Sequence, residues 1–471
     1  MNVLIRSFGP ISEFRYDLSK DIVVTYGDNN IGKSYAMQVV YLLLKNLTEY
    51  AQHNNGYYYS DGFYYYSYSS RLRVDSPTFS ELKSAVERFA DGEELSINIT
   101  ELMNSAIIAD ITEKFISNFI NSCENTFGNF KGILEQNPIV ILETDNYCLK
   151  IEPAKCDKLS ASIYSFPTFV KRTKSNYHKS RKSNDRLDIY YSKSINATLD
   201  VIADTLASSI SDFAANSFRL VGNVYFLPAS RSGIYSGMSA FSSIIAELSK
   251  NKAMLTKKIE LPGISEPISD YFLMLSNIRM RENNSYSDVY KEIENDIIHG
   301  TVKFNRSRNT LVYIPDGIQH EFEMTEVSSM VSEISPIVAF LKYIVTSVPK
   351  RNKIPRGASI VFIEEPEAHL HPKNQIKLIE LFSKLCDYNI KIVVSSHSNY
   401  IFSKLNNLLL SSKISPSVYS AILLQQEEAG SISTFMQMDE LGVDDTNFLD
   451  STQALYDERE ALISELNSMQ D

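Results

Sequence analysis

The chain has 471 residues, enough for about three domain-sized units. A composition of 44% hydrophobic and 22% charged residues is that of a soluble globular protein and excludes wholesale disorder. Lysine and arginine number 46 against 57 acidic residues, a net charge of −11, so contact with nucleic acid would have to come from a local basic patch.

From the N-terminus, MNVLIRSFGP lacks the long apolar run of a signal peptide, and Met37 to Leu44 is too short to cross a bilayer. Cys123, Cys148, Cys156 and Cys386 form no CxxC pair, which argues against a zinc knuckle or disulfide framework and suits a reducing cytoplasm. Val3 to Ile5 and Ile22 to Tyr26 are short β-rich runs, the second ending in a Gly-Asp-Asn-Asn turn. Lys33 to Leu47 follows as a predicted helix, with Met37, Val40, Leu43 and Leu44 at helical spacing.

Gly56 to Ser70 (GYYYSDGFYYYSYSS) reads either as a stacking surface for recognition or as a plain loop or strand pair. Ser80 to Ala90 and Thr100 to Ser122 are predicted helices, and Ile139 to Leu142 with Tyr147 to Ile151 a hairpin. Lys171 to Arg186 carries seven basic residues and one acid; it is either a patch for DNA, RNA or an acidic partner, or a solvated loop. Ser194 to Ser217 resumes a helical pattern.

Val224 to Leu227 is an apolar strand leading into Pro228-Ala-Ser-Arg-Ser232. Val302 to Asn305 and Thr310 to Ile314 predict a hairpin, His320 to Met324 a third strand, and Ser335 to Val345 a helix. Ser359 to Ile363, Ile392 to Val394 and Ala421 to Leu424 are buried-strand candidates with helical runs between them. That alternation predicts an α/β fold with a mostly parallel sheet. Residues 1–48 and 220–471 would form one nucleotide-binding core, interrupted by a mainly helical insertion over 49–219.

Gly27-Asp-Asn-Asn-Ile-Gly-Lys-Ser34 fits G-x-x-x-x-G-K-[ST] between a predicted strand and a predicted helix. In such a loop the backbone around Gly27, Asn29, Asn30, Ile31 and Gly32 wraps phosphates at a helix N-terminus. Lys33 would reach the β- and γ-phosphates of ATP, and Ser34 would ligate Mg²⁺. The strand Ser359 to Ile363 ends directly in Glu364-Glu365-Pro366-Glu367, which delivers carboxylates to the edge of the sheet where ligands bind. Glu364 is placed to hold Mg²⁺ through its water shell, and Glu365 to orient or deprotonate the attacking water. His397, in Ser395-Ser-His-Ser398 after another strand, can touch the γ-phosphate.

GDNNIGKS, IVFIEEPEAHLHP and VVSSHS together resemble an ABC-type ATPase of the SMC, RecF and OLD branch, and within it the OLD-like AAA15/AAA21 group. The resemblance spans the first 47 residues and about Asn223 to Gln426. It implies an ABC/SMC-type P-loop core with an antiparallel β subdomain. It makes Lys33 and Ser34 the Walker A pair, Glu364 the Walker B carboxylate, Glu365 the catalytic glutamate and His397 the switch histidine. Ala368 to His371 falls at the D-loop, which explains His369 and His371 without a metal pair. Val327-Ser328-Ser329-Met330 stands where the family has a Ser-Ser-Gly signature that caps ATP from a second subunit, although the glycine is missing. Arg231 matches a recurrent arginine of these ATPases.

The resemblance also implies partners: at least a homodimer, and a Toprim or HNH nuclease or other toxin supplied in trans, under a phage-derived trigger. Stand-alone antiphage ATPases of this kind include the AriA subunit of PARIS and the PtuA subunit of Septu. The 74 residues after His397 read as two strands and a helix over Asn447 to Ser468, too little for a second catalytic domain. The alternative is a RecF/SMC-like DNA-maintenance ATPase that clamps DNA directly.

Overall fold

A computed structural model of the chain describes residues 1–54, 96–144, 148–152, 167–172, 179–183, 186–191, 221–237, 264–276, 284–345, 357–439, 442–444 and 455–463, with a few short pieces between them. Its frame is an eleven-stranded mixed sheet. In chain order the strands are β1 (Asn2–Phe8), β2 (Ile11–Asp17), β3 (Ile22–Gly27), β4 (Ile139–Glu143), β5 (Cys148–Ile151) and β6 (Ser160–Ala161). β7 (Val224–Leu227), β8 (Ser359–Glu364), β9 (Ile390–Ser395), β10 (Tyr419–Glu427) and β11 (Gly430–Phe435) complete it. Across the sheet the order is β7-β8-β9-β3-β10-β11-β2-β1-β4-β5-β6. β7, β8, β9, β3 and β10 run parallel. β1 pairs antiparallel with both β2 and β4.

Strands covered on both faces carry consecutive apolar residues, as β3 does at Ile22–Val24, β8 at Ile360–Ile363 and β9 at Ile392–Val394. Val23 faces one core with Phe226, Phe362 and Val393. Ile22, Val24 and Tyr26 face the other, with Val361, Ile363, Ile392 and Val394. Helix α1 (Lys33–Asn54) covers the first face. Helices α3 (Ser329–Ala339), α4 (Pro372–Lys384) and α5 (Asn399–Leu410) cover the second, while α2 (Glu266–Ser276) packs against β7 and α1.

β2 has no counterpart in the sequence reading. Ile11, Phe14 and Tyr16 point inward, but Glu13 and Arg15 alternate with them and form ion pairs, Arg6–Glu13 at 2.8 Å and Arg15–Glu13 at 2.7 Å. The short alternation is diluted by charge, which hides the strand. Elsewhere the hairpin runs longer than expected, as Gly300–Asn305 with Thr310–Pro315, while the third strand expected at His320 to Met324 is shorter, at Phe322–Glu323. The helix expected from Ser335 begins at Ser329, where the Ser328 hydroxyl accepts from the Val331 N–H.

Between α1 and β7 the described residues hold helices at Thr100–Ile111, Ser117–Thr126 and Phe130–Glu135, and the expected hairpin as β4 and β5. The first two of these helices lean on α1: the Tyr50 hydroxyl donates to Asp110 at 2.7 Å, and the Asn46 amide to Ser122 at 3.1 Å. A separate four-stranded sheet joins Lys179–Lys182, Leu187–Tyr191, Thr168–Arg172 and Ser96–Asn98 in that spatial order. The Tyr-rich segment contains a pair of antiparallel strands, Tyr57–Ser60 and Phe63–Tyr66. Most of the helices expected at 80–90, 194–217 and 447–468 lies outside the described residues; the described pieces, including 455–463, are helical. Among the described residues no helix is long and apolar enough to cross a membrane.

Candidate functional site

Three neighbouring parallel strands, β8, β9 and β3, end at one edge of the sheet, and each delivers one motif there. Register fixes the alignment: Glu364 lies opposite Ser395, and Ser395 opposite Thr25. This is the carboxyl edge at which α/β sheets bind ligands.

The loop after β3 needs its two glycines. Gly27 has φ 142°, and a Cβ there would run into the Leu424 carbonyl oxygen. Gly32 has φ 101°, and a Cβ would sit 2.9 Å from Cγ of Pro10 in the β1–β2 turn. Both conformations suit glycine alone. Asp28, Asn29 and Asn30 are exposed, and Ile31 is the buried peg of the loop. Lys33 is buried and folds back, its Nζ donating to the carbonyls of Gly27 at 2.9 Å and Asp28 at 2.5 Å. Burial pulls its pKa down to about 8, against the pull of the Glu365, Asp28 and Glu367 carboxylates.

Glu364 is 4% exposed. Its Oε2 accepts from the Ala229 N–H at 3.1 Å, while Oε1 is buried with no hydrogen-bond partner. Burial raises its pKa, opposed by the Ala229 N–H and the nearby Ser34 hydroxyl. A buried carboxylate oxygen left without a donor, beside an exposed Ser34 hydroxyl, fits the donor set for a hydrated Mg²⁺. Glu365 sits at φ 42°, a strained value for a non-glycine residue, pinned by its N–H donating to the Ser395 carbonyl at 3.0 Å. That twist turns its half-exposed carboxylate toward His397, with Oε1 to Nε2 at 3.8 Å. Burial and the Lys33 charge lower the His397 pKa, so the imidazole is neutral at pH 7, with Nε2 near a carboxylate and able to accept or donate through one water.

Arg231 sits behind the site. It is wholly buried and donates from Nε to the Glu333 carbonyl at 3.1 Å, from Nη1 to Pro228 and Glu364 carbonyls at 3.2 and 2.7 Å, and from Nη2 to Glu365 at 3.3 Å. The Glu333 carboxylate accepts from the Arg231 and Ser232 N–H groups at 3.0 and 3.2 Å. Four of the five guanidinium N–H donors are spent on protein carbonyls and the side chain is wholly buried, so the structure shows Arg231 as a brace for the Glu364–Glu365 backbone, with one Nη2 N–H not engaged there. Ser328 and Ser329 are exposed at the start of α3, and their hydrogen bonds are local ones to Val331 and Ser332. The described contacts do not bring them to the loop over 27–34.

Sequence reasoning passed over Glu367 and Glu333. Glu367 reads as one more acid at a helix start, and Glu333 as one polar residue in a helix otherwise nearly all buried. His371 is a helix cap, its Nδ1 accepting from the Lys373 N–H at 3.3 Å. Among the described residues no group of three or more His, Cys, Asp or Glu is arranged to hold a metal ion by itself.

A glycine-bound phosphate loop, an acid-tipped neighbouring strand and a histidine between them on one sheet edge define a P-loop ATPase. Residues 1–402 match the AAA_15 family model, described as an AAA ATPase domain, and the chain belongs to that family. No curated protein matches the chain. Among solved structures, the SMC head domain from Thermotoga maritima aligns over 93% of this chain and 98% of its own, at 8% identity and a TM-score of 0.35. A Smc head with an extended coiled coil, bound to the C-terminal domain of ScpA derived from Pyrococcus furiosus, aligns over 97% and 98%, at 11% identity and a TM-score of 0.33. An SmcHead bound to the C-winged helix domain of ScpA aligns over 93% and 98%, at 12% identity and a TM-score of 0.33.

Proposed function

We propose that this ATPase is the sensor or scaffold subunit of a bacterial antiphage defence complex, holding or activating a nuclease or toxic effector supplied in trans. The observation that carries the hydrolytic part is the placement of Lys33, Glu364, Glu365 and His397 at one sheet edge. The defence role rests on the resemblance of GDNNIGKS, EEPEAHLHP and VVSSHS to the stand-alone OLD-like ATPases.

In this reading Lys33 exchanges its bonds to the Gly27 and Asp28 carbonyls for the β- and γ-phosphates of ATP. Ser34 and Glu364 would hold Mg²⁺, whose charge would offset that developing on the phosphate. Glu365 orients a water and takes its proton, and His397 steadies the γ-phosphate. Arg231 keeps the Glu364 and Glu365 backbone in place throughout. Ser328 and Ser329, exposed at the N-terminus of α3, present donors to the nucleotide of a second copy in a homodimer.

The experiment is a tagged pull-down from cells carrying the native locus, with ATP and Mg²⁺ present. A stoichiometric nuclease or toxin in the eluate is the expected result. A homo-oligomer carrying only DNA would replace this reading with a DNA-clamping ATPase.

A further inference from the structure

The loop after β8 and the loop after β9 carry the two groups nearest the reacting phosphate, Glu365 and His397, yet the only direct contact between their side chains is the loose 3.8 Å approach. Something else has to set their relative position. Three straps join the loops. The Glu365 N–H donates to the Ser395 carbonyl. The Ser398 hydroxyl donates to Gln375 Oε1 at 2.6 Å, and Gln375 in turn donates to the Leu370 carbonyl at 2.9 Å. The third is Glu367: its Oε1 accepts from the Ser396 hydroxyl at 2.8 Å and from the His397 N–H at 2.6 Å.

Only the Glu367 strap ends on His397 itself. Both its bonds are charge-assisted and short, which makes them stiff as well as strong. The other oxygen, Oε2, is buried with no hydrogen-bond partner. A carboxylate that gives up hydration on one oxygen to place the other on a switch-loop amide is an expensive tether, and the same loops are already joined twice without it. Its charge also faces Lys33 and His397.

We infer that Glu367 is a positioning residue for ATP hydrolysis: it holds the His397 backbone so that the imidazole meets Glu365 and the γ-phosphate in one geometry. This rests on the hydrolytic reading of the site given above. In this proposal Glu367 acts through His397, not on the nucleotide itself.

The test is a steady-state ATPase cycle on the full chain: wild type, Glu367→Ala, Glu367→Gln, His397→Ala and the double alanine variant, each with its ATP affinity. Glu367→Ala is expected to lower kcat about 10- to 100-fold with KM for ATP within about threefold of wild type. Glu367→Gln keeps an acceptor oxygen for Ser396 and His397 and should recover most of kcat, and it carries the test if the alanine variant does not fold. The double variant should be no slower than His397→Ala alone, since the two residues act as one unit. Losses that multiply, or a Glu367→Ala kcat equal to that of an active wild type, would overturn the inference and leave the hydrolytic reading standing. An inactive wild type that still binds ATP would remove both.

Discussion

The edge where β8, β9 and β3 end and the sheet around Asp188 both collect charge, and they use it oppositely. At the edge, charged groups are left partly unanswered: Glu364 keeps a bare oxygen and Lys33 settles for two carbonyls. In the small sheet, Asp188 is buried and takes both Lys171 at 2.9 Å and Arg186 at 3.0 Å, the first and last residues of the basic run. A count of seven bases therefore overstates the free charge, because the acid that answers two of them comes from the following strand. Unsatisfied charge marks a place built for a ligand; paired charge marks a place built to hold itself.

Arg231 is the extreme of pairing, and removing it should have the largest effect. Arg231→Ala leaves the buried Glu333 carboxylate without its ion-pair partner and frees four backbone carbonyls, and is expected to cost about 4 kcal/mol of stability by chemical denaturation. A loss below about 1 kcal/mol would show that the buried network is not a brace. Glu365→Gln should lower ATP turnover roughly 1000-fold while ATP binding persists. Equal phosphate release by the variant and wild type would mean that Glu365 takes no proton. Lys33→Ala should weaken ATP binding on the order of 100-fold, measured by titration calorimetry.

Lys33 also predicts a pH effect. Its pKa in the folded site is about 8, below the usual 10.5, so from pH 8 to 10.5 the unfolded chain holds a proton that the folded chain has released. Over that window this group makes stability rise with pH, and below pH 8 it counts against folding. ATP phosphates favour the charged lysine, so at pH 8 binding should take up a fraction of a proton. Binding heats that are the same in buffers of different ionisation enthalpy would contradict this. The smallest effect sharpens the other side of the comparison: Asp188→Asn should cost about 1 kcal/mol and add about two phosphate contacts to any salt-sensitive DNA binding. An unchanged salt slope would show that the basic run does not meet phosphate even when released.

The phosphate loop and the acidic strand end were legible because both are local: a few contiguous residues carry the chemistry and the backbone geometry. The parallel strands were legible for the same reason, as unbroken apolar runs. The bracing role of Arg231 is not legible, because its partners, Glu333 and the Glu364 and Glu365 carbonyls, lie about a hundred residues on and cannot be read from spacing. β2 is not legible, because the ladder of Arg6, Glu13 and Arg15 masks its apolar face. The role of Glu367 appears only when β8 and β9 are set side by side.

The pairing of β4 with β1 has a practical consequence. Five register pairs, from Asn2 opposite Glu143 to Arg6 opposite Ile139, make the region after α1 a continuation of the central sheet. That region cannot be trimmed like a cassette. Excising it would turn the seven-residue β1 into a raw sheet margin, with unpaired amides inviting another chain to dock and aggregate. Shortened forms for crystallisation or partner mapping should therefore keep β4 and β5.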